Sequence, residues 1–199
     1  MPDPLLAFVD LKTTGNQPLK NDFNGSERLY PWHEISLIDV VLWDPKLDRV
    51  VDSHMFAVKV TYPRRAEHPL EKEEAVVGFA ICDGLVAYNE RVNGAVLVAW
   101  DIGTVRQFLE TAFLIHGLPI VTKGYVDLQS YTAGAVRRKH CLPLTDTAVI
   151  LGIPSKLEGA LLLKEVFQRL QKLAVSAAIS AEERKREEPP FLCQGGDAC

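Results

Sequence analysis

Two ionisable groups near the start of the chain carry its most specific chemistry. They stand in Phe8-Val9-Asp10-Leu11-Lys12-Thr13-Thr14-Gly15. On an extended strand, residues two apart project to the same face. Asp10 and Lys12 therefore stand side by side. Two carboxylates in that arrangement would grip a hard divalent cation through oxygen. An ammonium there repels the cation and can pair with the aspartate. A second reading lets Lys12 snorkel to solvent from the strand end.

Other groups could do chemistry elsewhere. Asp39, Asp101, Asp127 and Glu158 are spare acids, and Asp101 could approach Asp10. His140 and Asp146 flank Cys141-Leu142-Pro143-Leu144-Thr145; the simpler readings are a solvated loop for His140 and a helix cap for Asp146. Basic residues cluster at Arg137, Arg138, Lys139 and His140, and again at Arg64 and Arg65. Such clusters can touch phosphate, and Tyr62, Tyr131 and Trp100 could stack on bases. Ordinary solvated surface is the competing reading. The net charge of −4 argues against a protein that holds nucleic acid by bulk charge alone. The four cysteines form no CxxC pair, so a structural zinc site is not expected. Cys82 and Cys141 read as small buried hydrophobes, and Cys193 and Cys199 as a free pair in the tail.

The elements that must position these groups follow from periodicity. Residues 5–11 form a short apolar run closed by a Lys-Thr-Thr-Gly turn, hence a buried strand. Residues 16–31 are a polar loop. Strands are expected at 34–43 and 49–60, joined by an Asp-Pro-Lys-Leu-Asp turn, giving an antiparallel meander. Residues 70–88 are helical in part, 95–100 form a strand, and 104–116 form an amphipathic helix ended by Gly117 and Pro119. A short strand lies in 120–128. Helices follow at about 129–151, interrupted near Pro143, and at about 157–179. Strands first, then strands alternating with helices, predict an α/β fold: a mixed sheet of antiparallel meander plus parallel strands, flanked by helices. The chain length suits one domain, taken as residues 1–179, with a charged Pro- and Gly-containing tail at 180–199. No apolar run spans a bilayer and no signal peptide is visible, so a soluble, intracellular, cytoplasmic protein is expected.

The order of these elements resembles the DnaQ-like (DEDDh) 3′-to-5′ exonucleases, whose fold is RNase H-like. The residues 8–15 quoted above look like the family's first motif. Glu34-Ile35-Ser36-Leu37-Ile38-Asp39-Val40-Val41-Leu42 looks like the strand paired against it. Val96-Leu97-Val98-Ala99-Trp100-Asp101, followed by Arg106-Gln107-Phe108-Leu109, looks like the second motif. Val126-Asp127-Leu128, Leu151-Gly152-Ile153-Pro154 and residues 160–167 look like the third region. The resemblance covers roughly residues 5–175.

That family's chemistry implies two metal ions about 4 Å apart, four carboxylates to hold them and a histidine base. The first aspartate falls on Asp10. Its companion glutamate falls on Lys12, the second-motif aspartate on Val105, the third-motif histidine on Pro154 and its aspartate on Gly159. Thr104 takes the aromatic position before Val105, and Trp100 a position often held by histidine. Only Asp10 keeps the family's chemistry. The resemblance therefore implies a catalytically inactive, pseudo-nuclease domain that binds nucleic acid or scaffolds a partner. One alternative is an active exonuclease using displaced acids, for which magnesium or manganese would be the cofactor; otherwise none is expected. Another is a structural subunit of a larger assembly. The tail, with Pro189-Pro190-Phe191-Leu192 after a charged stretch, could dock on a protein partner.

Overall fold

The computed structural model describes residues 4–18, 33–61, 78–135 and 142–187. Both basic clusters, Arg64-Arg65 and Arg137-Arg138-Lys139, lie outside the described residues, as do Tyr62, His140, Cys141 and the tail from 188 onward.

Five strands make one mixed sheet: β1 (Leu6–Thr13), β2 (Ile35–Asp44), β3 (Arg49–Ala57), β4 (Val96–Ala99) and β5 (Gly124–Asp127), in the order β3-β2-β1-β4-β5. β1, β2 and β3 pair antiparallel, as the meander predicts, while β4 and β5 run parallel to β1. β1 is central. Ala7, Phe8 and Val9 are buried in succession, which is why its sequence reads as an unbroken apolar run rather than an alternation.

Helices cover both faces. α1 (Ile81–Val92) and α2 (Ile102–His116) bury Leu85, Tyr88, Phe108 and Phe113 against Ala7, Val9 and Leu97. α3 (Leu128–Ala135), α4 (Leu144–Ile150) and α5 (Gly159–Glu187) lie with the opposite layer. There α5 presents Ala160, Leu163, Val166, Phe167 and Leu170, a helical stripe, to Phe8, Val41 and Trp43. The Phe167 ring meets Phe8 edge-on at 5.6 Å and Trp43 at 6.2 Å. Burying an aromatic of this size contributes about 2–3 kcal/mol, so this trio helps hold α5 against the sheet.

Several expectations need correction. β3 ends at Ala57 rather than residue 60; beyond it the Val58 amide still bonds the Ser36 carbonyl, while Val58 bridges Phe79 on its other side. The described helix before β4 begins at Ile81, and the strand expected within 120–128 is confined to Gly124–Asp127. The last helix runs to Glu187, past the limit of 179. Cys82 is partly exposed on the first turn of α1 rather than buried. Asp146 lies within the first turn of α4, whose N-cap position is Pro143, so it is not the cap.

Candidate functional site

The ladder between β1 and β2 places Asp10 directly opposite Asp39. Alternation sends both toward the α5 face, because Phe8 on β1 and Val41 and Trp43 on β2, two and four residues away, belong to that layer. The pair sits near the carboxyl end of β1, beside the parallel strand β4. This is the switch point where open α/β sheets gather their ligands.

The N-terminus of α5 closes the site. The Ala160 amide donates to Asp39 Oδ2 at 2.8 Å, across most of the chain in sequence. Gly159 makes this contact sterically available. Its φ is +56°, a left-handed conformation that strains other residues, and a Cβ there would collide with Asp39 Oδ2. The same Cβ would lie 3.8 Å from Asp10 Oδ2. Position 159 therefore faces both aspartates, and the Asp39 carboxylate fills the space a side chain at 159 would need.

The electrostatics follow from this crowding. Burial, then the neighbouring Asp39 charge, pushes the Asp10 carboxyl above its ordinary range; a hydrogen bond from the Leu11 amide and the Lys12 charge oppose the shift. Burial also pushes Asp39 up, against the stabilising Ala160 amide. Both carboxyls move in the same direction, and the pair holds a proton more readily than two solvated aspartates would.

The other sequence-derived positions divide clearly. Lys12 is exposed, and its charge is the smallest of the four influences on Asp10. Val105 packs into the core of the α1/α2 layer, away from the face that carries Asp10. Pro154 is exposed, and its carbonyl accepts from the Leu157 amide. Asp101 does not reach toward Asp10. It caps α2, accepting from the Thr104 amide at 3.2 Å and the Thr104 hydroxyl at 2.7 Å. Asp127 is likewise occupied, by the Gln129 amide and the Ser130 hydroxyl at the start of α3. Glu158 is exposed at the mouth of α5. Trp100 packs partly buried against the α5-side core, whereas Tyr131 on α3 is 41% exposed.

Asp39 is the residue that sequence reasoning undervalued by grouping it with spare acids. The signal was present: one carboxylate inside a ten-residue strand that is otherwise almost wholly apolar. Burying such a charge is costly without a partner, and here the Ala160 amide is that partner.

Among the described residues the donor set does not fit a two-metal centre. Among the described residues no group of three or more His, Cys, Asp or Glu side chains is arranged to hold an ion. Asp10 and Asp39 stand together, but one oxygen of Asp39 is committed to the α5 amide, and position 159 supplies no ligand at all.

Solved structures of similar architecture include 3′-exonucleases. A 3′-exonuclease described in 3′-end-specific recognition of the histone mRNA stem-loop superposes with a TM-score of 0.62 at 13% identity, covering 85% of this chain and 63% of that one. Escherichia coli exonuclease I, in complex with a dA16 oligonucleotide, gives 0.63 at 12% identity, covering 85% and 41%. A complex of exonuclease I with an SSB C-terminal segment gives 0.63 at 12%, covering 85% and 41%. The chain thus spans less than two thirds of each of these proteins. No protein-family model and no curated protein matches it by sequence. The shared feature is the fold: a mixed five-stranded α/β sheet of exonuclease type.

Proposed function

We propose that the chain is a catalytically silent domain of exonuclease fold, of DnaQ-like descent, that binds nucleic acid without cutting it. The observation that supports this reading is the Asp39 carboxylate, seated where a side chain at position 159 would lie and tied to the Ala160 amide, at the position the resemblance assigns to the third-motif acid. Two magnesium ions bring four positive charges. Two crowded carboxyls that hold protons more readily than solvated ones, with a lysine adjacent, offer little against that. Each positioned charge missing from such a site costs about 3–4 kcal/mol of transition-state stabilisation.

Nucleic acid is the favoured ligand because neighbours of this fold are solved with an oligonucleotide and with an mRNA stem-loop. In this chain Tyr131 offers an exposed ring on α3, and the sequence runs from the end of that helix into Arg137, Arg138 and Lys139. Arg64 and Arg65 would add phosphate contacts. The tail is the candidate for a protein partner, and a purely structural subunit would bind neither.

A second reading has its own support. Asp39 is a displaced acid that faces Asp10, so an active enzyme using relocated carboxylates would be built here. One experiment separates the readings. Labelled single-stranded DNA and RNA are incubated with the protein in magnesium or manganese, and binding is titrated across salt. The proposal expects intact oligonucleotide and a shifted complex that weakens steeply with salt. Metal-dependent shortening that disappears in Asp10→Ala would overturn it in favour of the active reading. No complex at low salt would favour the structural one.

A further inference from the structure

A groove of about 430 Å³ runs between the β2–β3 turn and the middle of α5. Trp43, Pro45 and Asp48 line one side, and Gln168, Lys172 and Val175 the other. The Asp48 carboxylate ties the two sides together by accepting from the Gln168 side-chain amide. Two things here lack a partner among the described residues. Trp43 is 3% exposed, and its indole N–H meets no acceptor. A buried donor of that kind is destabilising until an oxygen reaches it. The second is the helix itself. Each described side chain from Gln171 to Ala178 is exposed, Val175 by 60%. A helical stretch without a packed face is marginal in water.

We infer that the groove is the seat of this chain's own C-terminal segment, Leu192 to Gly196, folded back along α5. Reach and chemistry both select it. The helix runs to Glu187, and Pro189 and Pro190 cannot extend it, so the sequence breaks from the helix axis there. At the helical rise, Lys172 lies about 22 Å back from Glu187. About seven extended residues cover that distance. Leu192 and Cys193 then come level with Val175 and Ser176, and Gln194 with Lys172. Leu192 covers the exposed Val175 at the rim. Gly195 and Gly196 follow into the groove, where residues without side chains let a backbone carbonyl approach the Trp43 indole N–H. The Lys172 ammonium is a further donor for that backbone.

The tether favours this occupant over a foreign peptide. A short linker holds the segment near the groove at an effective concentration on the order of millimolar, so weak contacts suffice. A protein partner for the tail would have to displace it from this seat. The groove lies farther along α5 than Gly159, so the inference holds whether the cleft cuts nucleic acid, binds it or does neither.

The test is disulfide trapping in the full chain at low protein concentration. Ser176→Cys places a thiol on the exposed side of α5 beside the groove. Mild oxidation should link position 176 to Cys193 of the same chain in preference to Cys199, as read by peptide mapping in a mass spectrometer. Adding Val175→Lys, at an exposed side chain whose change disturbs no packing, should abolish that preference, and so should Leu192→Asp. In nitrogen-15 spectra, the indole signal assigned through Trp43→Phe should move between wild type and Leu192→Asp. Equal linkage to Cys193 and Cys199 would overturn the inference, since a tail without a seat offers both thiols alike. A 176-to-193 link that joins two chains would overturn it in favour of a second copy's tail. An indole signal unchanged by Leu192→Asp would also count against it.

Discussion

At the scale of single residues, the site is a contest between two buried carboxyls and one backbone amide. Both aspartates have folded-state values above the ordinary 3.8. A raised value means that the folded chain holds the proton more tightly than the unfolded chain. The stabilisation is complete below about 3.8 and is lost as pH rises through the raised value. At neutral pH the ionised pair is therefore a cost. Asp10→Asn removes one charge and can still accept the Leu11 amide. It should raise the melting temperature at neutral pH. The gain should vanish near the ordinary carboxylate value. Melting curves across pH check this, and a lower melting temperature at pH 7 would contradict it. Gly159→Ala should cost more than about 2 kcal/mol in denaturant unfolding, from the left-handed backbone and the collision with Asp39. Asp39→Ala in the same chain should recover part of that cost, because the collision is gone while the backbone strain remains.

Asp10 and position 159 come together in the structure, and both stand at motif positions that local patterning marks. The burial of Asp39 could be read from its apolar strand, but its place opposite Asp10 could not. Placing it opposite Asp10 requires the register of β1 against β2, and a long polar segment separates the two strands. No local preference fixes the length of such a loop in space. Val105 shows the reverse failure. Its motif position implied the site, yet an apolar side chain at the start of α2 gains more by joining Phe108 and Leu109 in the core.

At the scale of elements, strands and helices were read well where periodicity was strong. The apolar run of β1, the amphipathic α2 and its Gly117 end all appear as expected. Gly117 adopts φ +65°, and the Leu118 amide closes back on the Phe113 carbonyl at 2.9 Å. Boundaries set by distant partners were not legible. At the end of β3, Phe79 takes the outer carbonyl of Ala57, a contact that no short window along the sequence contains. Asp101 belongs to this scale too. It was a candidate for the site and is in fact the cap that starts α2. Asp101→Ala should cost about 1 kcal/mol of stability and leave any metal affinity unchanged. Unfolding titrations and metal titrations on the same variant check both halves. A loss of metal binding without loss of stability would return Asp101 to the site.

At the scale of the whole molecule, the fold is of exonuclease type, and among the described residues Asp10 and Asp39 are the carboxyls brought together at the carboxyl end of β1. No helix among the described residues is long and apolar enough to cross a membrane. The sheet, its two helical layers and the switch point at β1 and β4 are present, which is the framework on which the proposed binding without cleavage rests. The most direct check is a manganese titration followed by electron paramagnetic resonance, comparing wild type with Asp10→Asn. The two should bind the same number of ions, because the cleft contributes no tight metal pair. Two ions per chain present in wild type and absent from Asp10→Asn would contradict this account.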